Sequence, residues 1–175
     1  MSTATDGGAT IALVALGANL GDRLGTMRHA VAMLRARSDL AVAAVSGVYD
    51  TAPVGPPDQP RYLNAAVALR TALAPRALLE VLLSVERDLG RERGATRWTA
   101  RTIDLDLILH GECRIDDGDL RVPHPRFRER AFVLLPLAEI APSARDPETG
   151  ERVESLLRAC PGRSDAVRVG PLEEP

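Results

Sequence analysis

Residues 103–109 read Ile-Asp-Leu-Asp-Leu-Ile-Leu, two acids set into a run of aliphatic residues. Side chains alternate along a strand, so Asp104 and Asp106 share one face while Leu105, Leu107 and Leu109 point the other way, into a core. Working back, a helix over 75–90 opens with Pro75 in its first turn. It carries Leu78, Leu79, Leu82, Val85 and Leu89 on one face and stops at Gly90. Before it, YLNAAVALR (62–70) reads as a strand, and 40–49 as a weakly alternating one. Residues 24–37 repeat Leu24, Met27, Val31 and Leu34 at helical spacing, behind a buried strand, IALVAL, at 11–16. The order is β-α-β-β-α-β. It suits an α+β, ferredoxin-like α/β sandwich with a mostly antiparallel sheet and helices packed on it.

The connecting segments are legible in the same way. TAPVGPPDQP (51–60) holds prolines at 53, 56, 57 and 60 and a glycine, which excludes helix and central strand and leaves an exposed loop. RERGATRWTART (91–102) is basic and lacks an apolar period, so it reads as a mobile loop. A short hairpin is expected near 112–122, and PHPRFRER opens a helical stretch through about Ile140. Residues 1–9 read as a flexible tail, 10–160 as a single domain, and 161–175 as a poorly ordered tail.

Composition removes several function classes. Net charge is −2 in 175 residues, so no global basic field holds nucleic acid or an anionic membrane. The chain contains no lysine, which excludes a Schiff-base lysine and a phosphate-loop lysine. Phosphate binding then falls to arginine forks, backbone N–H groups and metal. Cys113 and Cys160 match no metal spacing and read as free thiols. With no signal peptide at 1–10 and no long apolar run, a cytoplasmic protein is the expectation. A monomer is expected beside it.

Several groups of residues carry chemistry. Two aspartates side by side on a strand repel each other unless a cation sits between them. Hard oxygen ligands at this spacing suit Mg²⁺, with substrate phosphates completing the shell, and two ions can share the pair. A solvent-facing polar edge is the plain alternative. Arg91, Arg93, Arg97 and Arg101 lead directly into the pair, joining cations to a metal site as phosphoryl transfer requires. By itself that group also reads as a solvated loop. Gly17-Ala18-Asn19-Leu20-Gly21 lies at a strand-to-helix junction, where backbone N–H groups can hold an anion or a ring edge. It is neither a Walker loop nor a dinucleotide fingerprint. His124, between Pro123 and Pro125, sits on a rigid turn. In a chain with five aromatic residues (Tyr49, Tyr62, Trp98, Phe127 and Phe132), Tyr62 and Phe132 are candidates to sandwich a flat heterocycle, and Asn64 offers it a donor and an acceptor. Core packing is the competing role for both rings.

Taken together, LGANLGDR, DQPRYLNAAV, ERDLGRERGATRWTARTIDLDLIL and VPHPRFRERAFVLLPLAEIAP resemble the 6-hydroxymethyl-7,8-dihydropterin pyrophosphokinase family of folate biosynthesis, from about Ile11 to Pro142. The resemblance implies pyrophosphoryl transfer from ATP to a dihydropterin alcohol, with AMP as the second product. It implies that Asp104 and Asp106 bind two Mg²⁺ ions and act in catalysis with Arg91 and Arg93. On the same basis Glu86, Arg97, Trp98, Arg101, Ile103, His124 and Arg130 face ATP, with the loop at 91–99 closing over it. Gly17, Thr51, Ala52, Val54, Tyr62, Asn64 and Phe132 face the pterin. The family's fold, a ferredoxin-like sandwich, agrees with the element order. The chain departs from the family pattern at Ala18 (often Ser), at Thr99-Ala100 (often Gly-Pro) and at Leu83 (Gln in some members). A simple ATP kinase or phosphatase on the same metal pair, and a ferredoxin-like RNA-binding module, are the rival readings. The second conflicts with the net charge and leaves the paired aspartates unexplained.

Overall fold

The computed structural model describes residues 8–53, 59–91, 102–162 and 165–173. Strand β1 (Thr10–Ala18) leads through a turn into helix α1 (Arg23–Arg35), then β2 (Leu40–Val45), β3 (Gly47–Thr51) and β4 (Tyr62–Thr71). Helix α2 (Pro75–Asp88), β5 (Asp104–His110) and the hairpin β6 (Ile115–Asp117)–β7 (Leu120–Val122) follow. A 3₁₀ turn at Phe127–Glu129, α3 (Ala131–Ile140), α4 (Val153–Ala159) and β8 (Val167–Pro171) complete the described chain. The main sheet runs β5-β1-β4-β3-β8, with β2 also on β4, and its pairings are antiparallel. This is the expected α+β sandwich, with the two β-α-β halves interleaved around β1 and β4.

Alternation along the strands divides the core in two. Ala12, Val14, Leu16, Val67, Leu69 and Leu105 face α1 and α2, while Leu13, Ala15, Ala66, Ala68 and Leu109 face α3 and α4. Asp22 starts α1 by accepting the Gly25 N–H at 2.9 Å, and a Cβ at 25 would stand 2.2 Å from that carboxylate. Pro75 lies at the start of α2, and Gly90, at φ 79°, closes it in the left-handed region.

Four features differ from the sequence reading. The segment 40–49 is two strands, because buried Ser46 interrupts it. Its hydroxyl accepts the Ala66 N–H at 2.8 Å and its own N–H reaches Ala66 O at 2.9 Å, replacing regular pairing. Leu109 does not share a face with Leu105 and Leu107. The β1–β5 register shifts between Leu13 and Val14, so Ile108 is the extra residue of a bulge and the alternation resets behind it. Helix α4, with buried Val153 and Leu156, lacked a sequence signal strong enough to name.

The expectation of a poorly ordered 161–175 is corrected for 167–171. β8 pairs with the edge of β3 that β4 leaves open, and Leu172 is fully buried against the α1 side. Arg28 Nε donates to Leu172 O at 2.8 Å, and Arg35 grips Glu173 at 2.7 and 2.8 Å. Leu172→Ala is therefore expected to destabilise the protein by about 2–4 kcal/mol in urea unfolding. An unchanged midpoint would return this segment to a loose tail.

Candidate active site

The site lies on the α3 face of the sheet and is assembled across four strands by register. Gly17 on β1 pairs with Asn64 on β4 and with Asp104 on β5, and Ala15 pairs with Ala66 and Asp106. On β3, Tyr49 pairs with Asn64 and Thr51 with Tyr62. Residues directly opposite share a face, so Asp104, Asp106, Asn64, Tyr62 and Thr51 project to one side. Above them is a cleft of ≈ 540 Å³. Its lining includes Gly17, Thr51, Ala52, Tyr62, Asn64, Glu86, Arg91, Asp104, Asp106, His124, Arg130 and Phe132, which are twelve of the residues chosen from sequence.

One end of the cleft is ionic. Glu86, on α2 and almost wholly buried, accepts the Leu105 N–H at 2.7 Å, and so satisfies a backbone donor of β5, which among the described residues pairs only with β1 in the sheet. The same carboxylate binds the Arg91 guanidinium, which also binds Asp104. Burial works against the charge on Arg91, but Asp104 and Glu86 outweigh it and hold the group above its ordinary value. Burial lowers Arg130 from its ordinary value, against the opposing pull of Asp106. Its guanidinium lies 5.7 Å from the centre of the Phe132 ring.

His124 is held by the turn around it. Its N–H donates to Ile108 O at 2.9 Å, and its Nδ1 accepts the Arg126 N–H at 3.2 Å. An accepting Nδ1 leaves the proton on Nε2, a neutral donor in the cleft. Burial pushes the imidazole down to about 4, with the nearby Arg130 charge adding to the effect and Asp104 opposing it.

The other end is neutral. Asn64 Nδ2 donates to Thr51 Oγ1 at 2.7 Å, both side chains being buried. Tyr62 Oη reaches Gln59 Oε1 at 3.4 Å, and Tyr62 and Phe132 line the same cleft. The structure thus brings the two rings to one site. Ile103 is fully buried in the α1–α2 core, so its side chain takes no part in the lining. Val54, Arg93, Arg97, Trp98 and Arg101 fall outside the described residues.

Sequence reasoning missed Arg121, Arg126 and Gln59, which also line the cleft. Arg126 stands in the PHPRFRER stretch, two residues after His124. Leu79 and Leu83, one helical turn apart on α2, form part of an apolar wall, a pattern that reads in sequence as ordinary core.

The carboxylate pair can be tested against a metal by its donors. Among the described residues no group of three or more His, Cys, Asp or Glu side chains could hold an ion. The protein therefore offers two hard oxygen donors on one strand face. That set fits Mg²⁺ when substrate phosphate oxygens complete the shell, and does not fit a closed structural site.

An α+β sandwich with a carboxylate pair, half-buried arginines and an apolar-walled polar slot in one cleft defines a small-molecule enzyme. The family model for 7,8-dihydro-6-hydroxymethylpterin-pyrophosphokinase (HPPK) matches residues 13–142, and the chain belongs to that family. It is 47% identical over 150 residues to the 2-amino-4-hydroxy-6-hydroxymethyldihydropteridine pyrophosphokinase of Bacillus subtilis, covering 82% of this chain and 89% of that one. To the Pseudomonas aeruginosa enzyme of the same name it is 44% identical over 148 residues, covering 85% and 90%. Among solved structures it is similar to HPPK-DHPS in complex with substrates, with TM-score 0.68 and 14% identity, covering 87% of this chain and 43% of that one. Wild-type Plasmodium falciparum HPPK-DHPS with SDX-DHP gives TM-score 0.65 at 13% identity, with 86% and 44% covered. The chain spans less than half of those two chains, and at that identity the likeness concerns the fold.

The His124 geometry makes a pH prediction. NMR titration should give its ring a midpoint of about 4 and the Nε2–H tautomer at neutral pH. Because the folded value lies below the ordinary ~6.5, the stability tied to the neutral ring is complete above about 6.5 and is lost as pH falls toward 4. His124→Gln should flatten that part of the stability profile. A midpoint near 6.5 in the folded protein would mean that the ring is solvated.

Proposed function

We propose that the chain transfers a pyrophosphoryl group from ATP to 6-hydroxymethyl-7,8-dihydropterin, giving the pterin diphosphate and AMP for folate synthesis. The observation that carries the reading is the union, in one cleft, of the Asp104–Asp106 pair at an ionic end with the Thr51–Asn64–Tyr62–Phe132 slot at a neutral one. A triphosphate needs the first, and a flat ring with donors and acceptors on its edge needs the second.

In this reading the pterin stacks between Tyr62 and Phe132 and presents its edge to Asn64 and Thr51. Gly17, Ala52 and Val54 complete the pterin side. Glu86, Arg97, Trp98, Arg101, Ile103 (through its backbone), His124 and Arg130 face the nucleotide. Arg91 and Arg93 act on the phosphates. Two Mg²⁺ ions, held by Asp104 and Asp106 with phosphate oxygens, would supply charge neutralisation at the reacting phosphoryl group. Neutral His124 donates Nε2–H, and Arg130 brings a fixed charge into a poorly hydrated place, where each counts for more than in water. The hydroxymethyl oxygen forms the new bond to the β-phosphorus, the opposite bond to the AMP oxygen breaks, and the hydroxyl proton is released. The chain's contribution is to hold attacking oxygen, phosphorus and leaving oxygen in line. We read the protein as a cytoplasmic monomer, with Cys113 and Cys160 as free thiols.

The test is product analysis with purified protein, Mg-ATP and 6-hydroxymethyl-7,8-dihydropterin. AMP should form in step with pterin consumption and should require Mg²⁺. ADP or free phosphate in place of AMP would favour a simple kinase or phosphatase. Asp104→Asn or Asp106→Asn should nearly abolish turnover, and normal rates in either would remove the carboxylates from catalysis. Tyr62→Ala should weaken pterin binding by about 1–2 kcal/mol, the scale of aromatic stacking. An unchanged pterin affinity in the folded variant would make that ring part of the packing only.

A further inference from the structure

The β3–β4 ladder carries the pterin slot on one face and an ion cluster on the other. Thr51 and Tyr62 form the last pair of the ladder and project toward α3 with Asn64. Their chain neighbours Asp50 and Arg61 project to the reverse face, where Leu63, the register partner of Asp50, enters the core under α1 and α2. There Arg61 Nε donates to Asp50 Oδ1, and Arg61 Nη2 lies 3.5 Å from Asp50 O. Arg23, the first residue of α1, donates from Nη1 to Arg61 O at 2.7 Å and stands 3.8 Å from Asp50 Oδ2.

We propose that Asp50, Arg61 and Arg23 form a clamp that positions the pterin slot from behind the sheet; the proposal rests on the pterin reading of that slot. The need for it is local. Among the described residues no backbone pairing of these two strands continues past Thr51 and Tyr62, so this end of the ladder is where they would separate first. The bond from Asn64 to Thr51 and the placing of the Tyr62 ring both require that they do not. A diagonal ion pair one residue from each, tied to a helix by a third ion, fixes the spacing and rotation of the final pair. Asp50, Arg61 and Arg23 are positioning residues, and none of them lines the cleft.

Charge exchange across the pair tests this. Pterin affinity, the KM for each substrate, kcat and the thermal midpoint would be measured for wild type, Asp50→Asn, Asp50→Arg, Arg61→Asp and the Asp50→Arg/Arg61→Asp double variant. Exposed ion pairs are individually weak, so each single change should lower pterin affinity roughly two- to fivefold while leaving kcat and the KM for ATP unchanged. The double variant should regain most of that loss, because Arg23 can meet a carboxylate on either strand. Asp50→Asn, which keeps the shape and removes the charge, guards against misfolding in the charge-reversed singles. Unchanged pterin affinity in folded Asp50→Asn and Arg61→Asp overturns the clamp, as do equal losses for both substrates or a double variant no better than its worse parent. A wild-type protein that binds ATP but no pterin overturns the slot itself, and the clamp's role with it.

Discussion

The buried carboxylate of Glu86 is the contact on which the ionic half of the cleft depends. A carboxylate removed from water is costly unless charge and hydrogen bonds compensate it. Here the compensation comes from the Leu105 N–H on one side and Arg91 on the other. The first fixes the edge of β5, whose face carries the two aspartates. The second brings an arginine against Asp104 and offsets the repulsion between neighbouring carboxylates. One residue of α2 therefore sets strand position, arginine position and aspartate charge together. Its replacement by a neutral isostere would disturb all three, so loss of activity there would not by itself identify a contact to substrate.

The fold was legible where local pattern and tertiary demand agree. Pro75 and Gly90 bracket α2 because a missing N–H is harmless in a first turn and a left-handed residue suits a last one. The alternation of Asp104, Leu105, Asp106 and Leu107 placed charge and core on opposite faces, as found. It failed at Leu109 because a bulge is a mismatch between two strands, and neither strand contains it alone. β8 was missed for a related reason. Val167-Arg168-Val169-Gly170-Pro171 has no commanding pattern of its own, and becomes a strand because β3 has an open edge and Leu172 has a place to be buried.

The site was legible in a different manner. Local chemistry pointed to Asp104 and Asp106, since strands seldom carry adjacent same-face carboxylates without a purpose. It could not say that Tyr62 and Phe132, far apart in the chain, share a cleft. That followed from the family resemblance, and the structure brings them together. Glu86 was similarly opaque, because an acid on an amphipathic helix normally faces solvent. Its burial appears only once α2 is packed against the edge of β5. Arg121 and Arg126 were hidden by the opposite problem: in a chain whose basic residues are all arginine, one more arginine carries little information.

Between the two ends of the cleft lies β1, and its small residues join them. Ala15 and Gly17 separate the aspartates of β5 from Ala66 and Asn64 of β4. At Gly17 a Cβ would meet nothing nearer than Asn64 Oδ1, at 3.6 Å, so packing in the protein itself does not demand glycine there. What glycine provides is floor space: without a side chain, the sheet surface stays low where a phosphoryl group and a pterin methylene would have to meet. A bulkier residue would fill the cleft between the carboxylate pair and the ring slot while leaving both intact. Transfer depends on the distance between those two half-sites as much as on either of them, and that distance is set by the β5-β1-β4 register, with its single bulge at Ile108 lying beyond the aspartates.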